Sequence, residues 1–383
     1  MATLLLIIIY MAFISLGLPD SLIGVSWPSI REEFSLGLEY GGIISLVITL
    51  GTISSSLLSG YIIARFKTYK VIIFSVLLTL IALIGYAISE NFVFFVLFSI
   101  PMGFGAGSID TALNHYVAVN YKPHHMNWLH SFWGVGATAG PVIMAYYLLD
   151  DGWRSGFMSI AIVQFIFLVI LTLSLPLWRD KESEKKEEET RQQFKLKNIN
   201  GVLFALLIFM LYVSLELSIG VWGSSYLVID GSFNVSDAAN IIALYYGGIT
   251  LGRFLSGLAS FKLSNKTLIN LGIVLIFIGT FTLAILKSPP IMTASFVVIG
   301  LGLSPIFPSM VHDTPSHFGE EKAQYVIGYQ IASAYIGGAI FPPLFGLLFG
   351  AISITLFPYL MFILTVCLVI SLLALRISIS KKA

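Results

Sequence analysis

Few side chains in this sequence are equipped for chemistry, and those few stand in apolar surroundings. Asp110 and Asn114 lie four residues apart in Gly103-Phe104-Gly105-Ala106-Gly107-Ser108-Ile109-Asp110-Thr111-Ala112-Leu113-Asn114. On a helix that spacing puts the carboxyl and the carboxamide on one face, a turn apart. Together they offer proton exchange at the acid and paired donor and acceptor atoms for a hydroxylated ligand. The run around them, Phe92 to Val119, is long and apolar. An ionisable group inside such a run costs about 3 kcal/mol on insertion scales, so it should face a polar cavity or a partner. The plainer reading is a hydrogen-bonded network holding helices together. A carboxyl is a costly choice for that purpose where Ser or Asn would serve, which favours a substrate- or proton-linked role. The alternating glycines before Asp110 read as packing positions, because small residues let helices approach closely.

Asp20 follows Pro19 in Leu16-Gly17-Leu18-Pro19-Asp20-Ser21. Proline removes a backbone donor and loosens the turn before it. Carbonyls freed beside a carboxylate form a polar pocket. Asp20 is therefore read as a second proton-coupling site with Asp110, the alternative being a cap on a broken helix. Tyr212, Glu216 and Trp222 share one apolar run. Aromatic faces stack on the C–H faces of a sugar ring, while acids and amides pair with its hydroxyls, so these three and Gln330 join Asp110 and Asn114 as substrate-binding candidates. Trp222 equally suits an interfacial belt. Arg253, closing Tyr245-Tyr246-Gly247-Gly248-Ile249-Thr250-Leu251-Gly252-Arg253, reads as a gating group or a structural ion pair. His130, opening His130-Ser131-Phe132-Trp133-Gly134-Val135-Gly136-Ala137, reads as a gating or proton-linked group or as a histidine satisfied at a helix end.

Long apolar helices must position these groups. Of the 383 residues, 57% are hydrophobic and 11% charged, with a mean hydropathy of +0.91. Soluble domains carry about 25% charged residues, so the chain is a polytopic membrane protein. A crossing needs about 20 mostly apolar residues. Twelve candidates follow, at 4–29, 39–63, 71–88, 92–119, 127–148, 154–176, 200–228, 237–259, 267–286, 290–311, 324–350 and 352–377. With the N-terminus inside, 17 Lys and Arg fall in cytoplasmic segments and three in outer loops. That bias fixes the orientation and puts both termini in the cytoplasm. The N-terminal run lacks a basic leader and a clear cleavage site and reads as an uncleaved first span. A charged segment at 178–198 divides the chain into an N-terminal six-helix bundle, 1–177, and a C-terminal six-helix bundle, 199–383.

The same features exclude other classes. A net charge of +1 gives no case for nucleic acid, and the single cysteine, Cys367, rules out a disulfide within the chain. No Walker-type phosphate loop, HExxH metal motif or sizeable water-exposed domain is present, so an enzyme is not expected. No cofactor or metal site is expected either.

Two six-span halves joined by a cytoplasmic segment resemble the plan of the major facilitator superfamily, whose halves rock about a central site. Gly60-Tyr61-Ile62-Ile63-Ala64-Arg65-Phe66-Lys67 resembles that superfamily's loop signature, with Ala64 where an acid is common. Within the superfamily the chain resembles the fucose:proton symporters. The resemblance rests on Pro19-Asp20, on the glycines with Asp110, Thr111 and Asn114, and on Tyr212 through Glu216 to Trp222. Gly247-Gly248 through Gly252-Arg253-Phe254, Ser304-Pro305-Ile306-Phe307-Pro308 and Gly337-Gly338-Ala339-Ile340 extend it. It implies an all-α fold of twelve transmembrane helices and a sugar:proton symporter in which Asp20 and Asp110 serve substrate recognition and proton coupling. The shorter Asp110 stands where sugar-transporting relatives often have Glu, and Na+ remains open as the coupling ion. The expectation is a monomer in the cell inner membrane that takes up a small hydroxylated solute, most simply a monosaccharide. A proton-coupled exporter of drugs or metabolites, and a non-transporting sensor on a transporter scaffold, are the alternatives.

Overall fold

The computed structural model describes residues 2–121, 124–150, 152–178 and 200–380. The charged segment expected at 178–198 lies, apart from Trp178, outside the described residues. All regular structure among the described residues is helical, and no strand is present there. The first half holds α1 (Ala2–Asp20), α2 (Leu22–Glu33), α3 (Glu39–Phe66), α4 (Thr68–Ile88), α5 (Phe92–Asn120), α6 (His124–Tyr147), α7 (Gly152–Leu173) and the short α8 (Leu175–Trp178). The second holds α9 (Val202–Ile229), α10 (Val235–Ala259), α11 (Asn265–Ile285), α12 (Pro289–Leu303), α13 (Ile306–Phe318), α14 (Glu320–Ala351) and α15 (Phe357–Ser380).

Eleven helices or helix pairs among the described residues are long and apolar enough to cross a membrane. The expected twelfth crossing is α6, whose first turns carry His125 and His130 and lower its apolarity. Two crossings are broken where proline withdraws a backbone donor. Pro19 precedes the turn at Ser21 that separates α1 from α2. Pro305 separates α12 from α13, and the hydroxyl of Ser304 donates to the Leu301 carbonyl at 2.7 Å beside the break.

Packing divides the chain into two compact units. The first contains α1 to α8 together with Gly220–Gly247 and Pro343–Ile354; the second contains the first part of α9, Gly248–Pro342 and α15. The borders therefore fall inside α9, α10 and α14, whereas the division expected from the sequence follows chain order.

In the first unit, small residues set the helix spacing. A methyl on Gly103 would meet the carbonyl of Ile48, and one on Gly107 the carbonyl of Thr52, both on α3. One on Gly105, pointing the other way, would lie 2.7 Å from the Ser75 carbonyl on α4. The alternating glycines thus wedge α5 between α3 and α4. The pair α1 and α6 is equally close, with Gly17 on the Trp133 carbonyl, Gly136 on that of Ile14 and Gly140 on that of Leu18. Further along, Gly24 abuts the Gly220 carbonyl, and Ser224 donates to the Val25 carbonyl at 3.3 Å. Ser236 donates to the Ala145 carbonyl at 2.8 Å. The last part of α9 and the first part of α10 are so built into this unit. At the end of α2, Glu33 pairs with Arg154 and accepts from the Trp153 indole at 2.8 Å.

In the second unit, Gly337 of α14 rests on the Met210 carbonyl of α9, and Ser333 donates to the Leu206 carbonyl at 2.7 Å. Thr280 of α11 meets Thr365 of α15 at 3.3 Å, both fully buried.

Candidate functional site

On α5, Asn114 donates its amide nitrogen to a carboxylate oxygen of Asp110 at 2.9 Å. The i, i+4 geometry read from the sequence is present as a hydrogen bond. The other side-chain atom of Asn114, the buried carbonyl oxygen, has no hydrogen-bond partner among the described residues. Which amide atom is nitrogen is set by the network, and the assignment places a donor toward the carboxylate. A buried acceptor left without a donor costs about 1–3 kcal/mol. That cost is recovered when a hydroxyl, a water or a protonated Asp110 donates to it.

Asp20 is the last residue of α1, at the turn that Pro19 loosens. Its carboxylate accepts from the indole N–H of Trp133 on α6 at 2.6 Å. The Trp133 ring meets the ring of Tyr246 edge-on, with centroids 6.3 Å apart. The close contact of Gly17 with the Trp133 backbone sets this register. The result is an exposed carboxylate held by an indole whose ring in turn meets a tyrosine of α10, a combination suited to a polar ligand with C–H faces. Trp133 and Tyr246 were not singled out from the sequence. Both stand in stretches noted for other residues, but periodicity within one span carries no information about its register against another.

In the second unit, Glu216 on α9 and Arg253 on α10 form an ion pair at 3.8 Å, with side chains 10% and 17% exposed. Tyr212, one turn before Glu216, is buried beside both charges, and its ring approaches that of Phe307 at 5.9 Å. Two charges costly to insert singly into a bilayer are thus inserted together. Gln330 is fully buried and accepts from the Thr314 hydroxyl at 3.1 Å. Its amide nitrogen has no partner among the described residues.

The remaining candidates lie elsewhere. Trp222 is fully buried in the first unit. It packs against Gly346 and, edge-on at 5.6 Å, against Phe349 of α14. It shares a helix with Tyr212 and Glu216 but not their packing unit. His130 sets its ring perpendicular to Phe13 of α1 at 5.7 Å.

The crossings, their proline breaks and the ionisable groups held within them define a multi-pass membrane protein of the transporter class. The Major Facilitator Superfamily pattern matches residues 9–342, and the chain belongs to that family. Its members are membrane transporters, not enzymes. The glucose/mannose transporter GlcP of Bacillus subtilis is 21% identical over 351 residues, covering 88% of this chain and 86% of its own. The cis,cis-muconate transport protein of Acinetobacter baylyi is 24% identical, covering 91% and 87%. Among solved structures, the D-xylose-proton symporter superimposes with a TM-score of 0.75 at 14% identity, covering 97% of this chain and 96% of that one.

Proposed function

We propose that the protein is a secondary transporter that couples uptake of a small hydroxylated solute, a monosaccharide, to a proton gradient by alternating access. The observation that carries this reading is the Asp110–Asn114 pair, an acid and an amide joined in the middle of an apolar helix, with one buried acceptor still unfilled. Ionised, Asp110 holds the Asn114 amide nitrogen. Protonated, it gains a donor that can serve the Asn114 carbonyl or a substrate hydroxyl. A change of proton occupancy therefore changes which hydrogen bonds the site offers a sugar. Asp20, held by Trp133, is the second proton-coupling site. The protein resides in the cell membrane as a monomer, with both termini in the cytoplasm. H+ is the coupling ion, as it is in the D-xylose-proton symporter.

A dicarboxylate substrate is the rival suggested by the muconate relative. The intramembrane cation suited to an anion, Arg253, is already engaged with Glu216, which favours a neutral solute. Initial-rate uptake of labelled monosaccharides into proteoliposomes, with and without an inward proton gradient, tests the reading. Wild type should accumulate sugar only with the gradient. Asp110→Asn should lose gradient-driven accumulation by tenfold or more, about 1.4 kcal/mol, while retaining counterflow. Accumulation of muconate in place of sugar, or a gradient response undiminished in Asp110→Asn, would overturn it. Binding without counterflow in wild type would indicate a sensor.

A further inference from the structure

At one end of the second unit, the start of α11, the end of α13 and the end of α15 enclose a cavity of about 420 Å³. None of the residues discussed above for the transported solute lines it. Its rim carries Lys266, His317 and Arg376, one basic side chain from each helix, and a single acid, Asp313. The acid is already engaged: Asp313 accepts from the Asn265 amide at 2.6 Å and lies 3.8 Å from the ring nitrogen of His312. Arg376 donates to the Asn270 side-chain carbonyl at 2.6 Å, which fixes the guanidinium without neutralising it. Neither Lys266 nor Arg376 makes an ion pair among the described residues. Behind the rim the wall is apolar, built from Ile269, Leu372 and Leu375.

The ends meeting here are the beginning of one crossing and the ends of two that run the other way, so they share one side of the membrane. The distribution of Lys and Arg assigns that side to the cytoplasm. Two cations above an apolar slot, one of them held by Asn270, at the depth where headgroups meet acyl chains, match a lipid phosphate with its chain. We propose that this cavity binds an anionic phospholipid of the inner leaflet, its phosphate between Lys266 and Arg376 and one acyl chain along Leu372 and Leu375. The site does not depend on which solute is transported.

The test is native mass spectrometry of the full-length protein released from nanodiscs containing equal amounts of phosphatidylglycerol and phosphatidylcholine. Wild type should retain phosphatidylglycerol about thirtyfold over phosphatidylcholine, the preference expected of two basic groups at a membrane surface. Lys266→Gln/Arg376→Gln should bring the two lipids to parity. Lys266→Gln alone removes no hydrogen bond made by the described fold, and should still lower retention about fivefold if the double variant does not fold. Equal retention of phosphatidylglycerol by wild type and Lys266→Gln would overturn the site. Displacement of the lipid by soluble inorganic phosphate would mark a free-anion site instead and overturn the lipid assignment.

Discussion

Asp20 and Trp133 form the contact on which most depends at the level of single residues. The 2.6 Å bond from the indole N–H fixes a carboxylate that stands at a helix break and is otherwise exposed. Replacing the indole by a phenyl ring keeps an aromatic face and removes the donor to Asp20. A hydrogen bond to a charged group is worth about 1.5 kcal/mol at the low end, appropriate to an exposed acid, and corresponds to roughly tenfold in affinity. Trp133→Phe is accordingly expected to raise the KM for sugar about tenfold while maximal counterflow stays within about twofold. Initial rates of uptake and counterflow measure both, and an unchanged KM would make the contact purely structural. The Glu216–Arg253 pair shows a different logic. Each charge is tolerable because the other is there, so its existence argues for balanced insertion before it argues for a binding role.

Helix spacing is governed by where the glycines point. Gly103 and Gly107 face α3 and Gly105 faces α4, which holds Asp110 at a fixed depth between two neighbours. A leucine at Gly107 would drive into the Thr52 carbonyl and the Ser55 hydroxyl, and overpacking of this kind costs about 1–3 kcal/mol. Gly107→Leu should lower the unfolding temperature in detergent by several degrees, whereas Gly257→Leu on α10, where a side chain meets open space, should leave it unchanged. Equal shifts in the two variants would contradict the wedge. At this scale the sequence was highly informative. Hydropathy runs placed the crossings to within a few residues, and Pro19 marked the break after α1, because both signals are local to one helix; the break at Pro305 was not read from the sequence. The Asp110–Asn114 bond was legible for the same reason. The partners of Asp20 and Glu216 were not, since they depend on the register between helices. A single span's pattern does not encode that register.

The packing units carry the same lesson to the scale of the whole chain. Tyr212 and Glu216 fall in one unit and Trp222 in the other, although all three share α9. Nothing in the composition of α9 signals that its last turns join a different packing group. In the first unit those turns are sealed by backbone against backbone: Gly24 of α2 abuts the Gly220 carbonyl, and Val25 is fully buried beneath Ser224. A seal made of glycine has no slack, because any side chain at Gly24 must push α2 and α9 apart. A tryptophan there should therefore hold this end open. Alternating access requires the end to close in every cycle, so Gly24→Trp should bind sugar in a thermal-shift assay yet lose uptake by tenfold or more. The opening can be read independently with a cysteine at Val25. It should resist a membrane-impermeant maleimide in the otherwise native chain and react when Gly24→Trp is added. Native uptake by Gly24→Trp, or labelling at Val25 that is the same in both backgrounds, would show that this contact is not a gate.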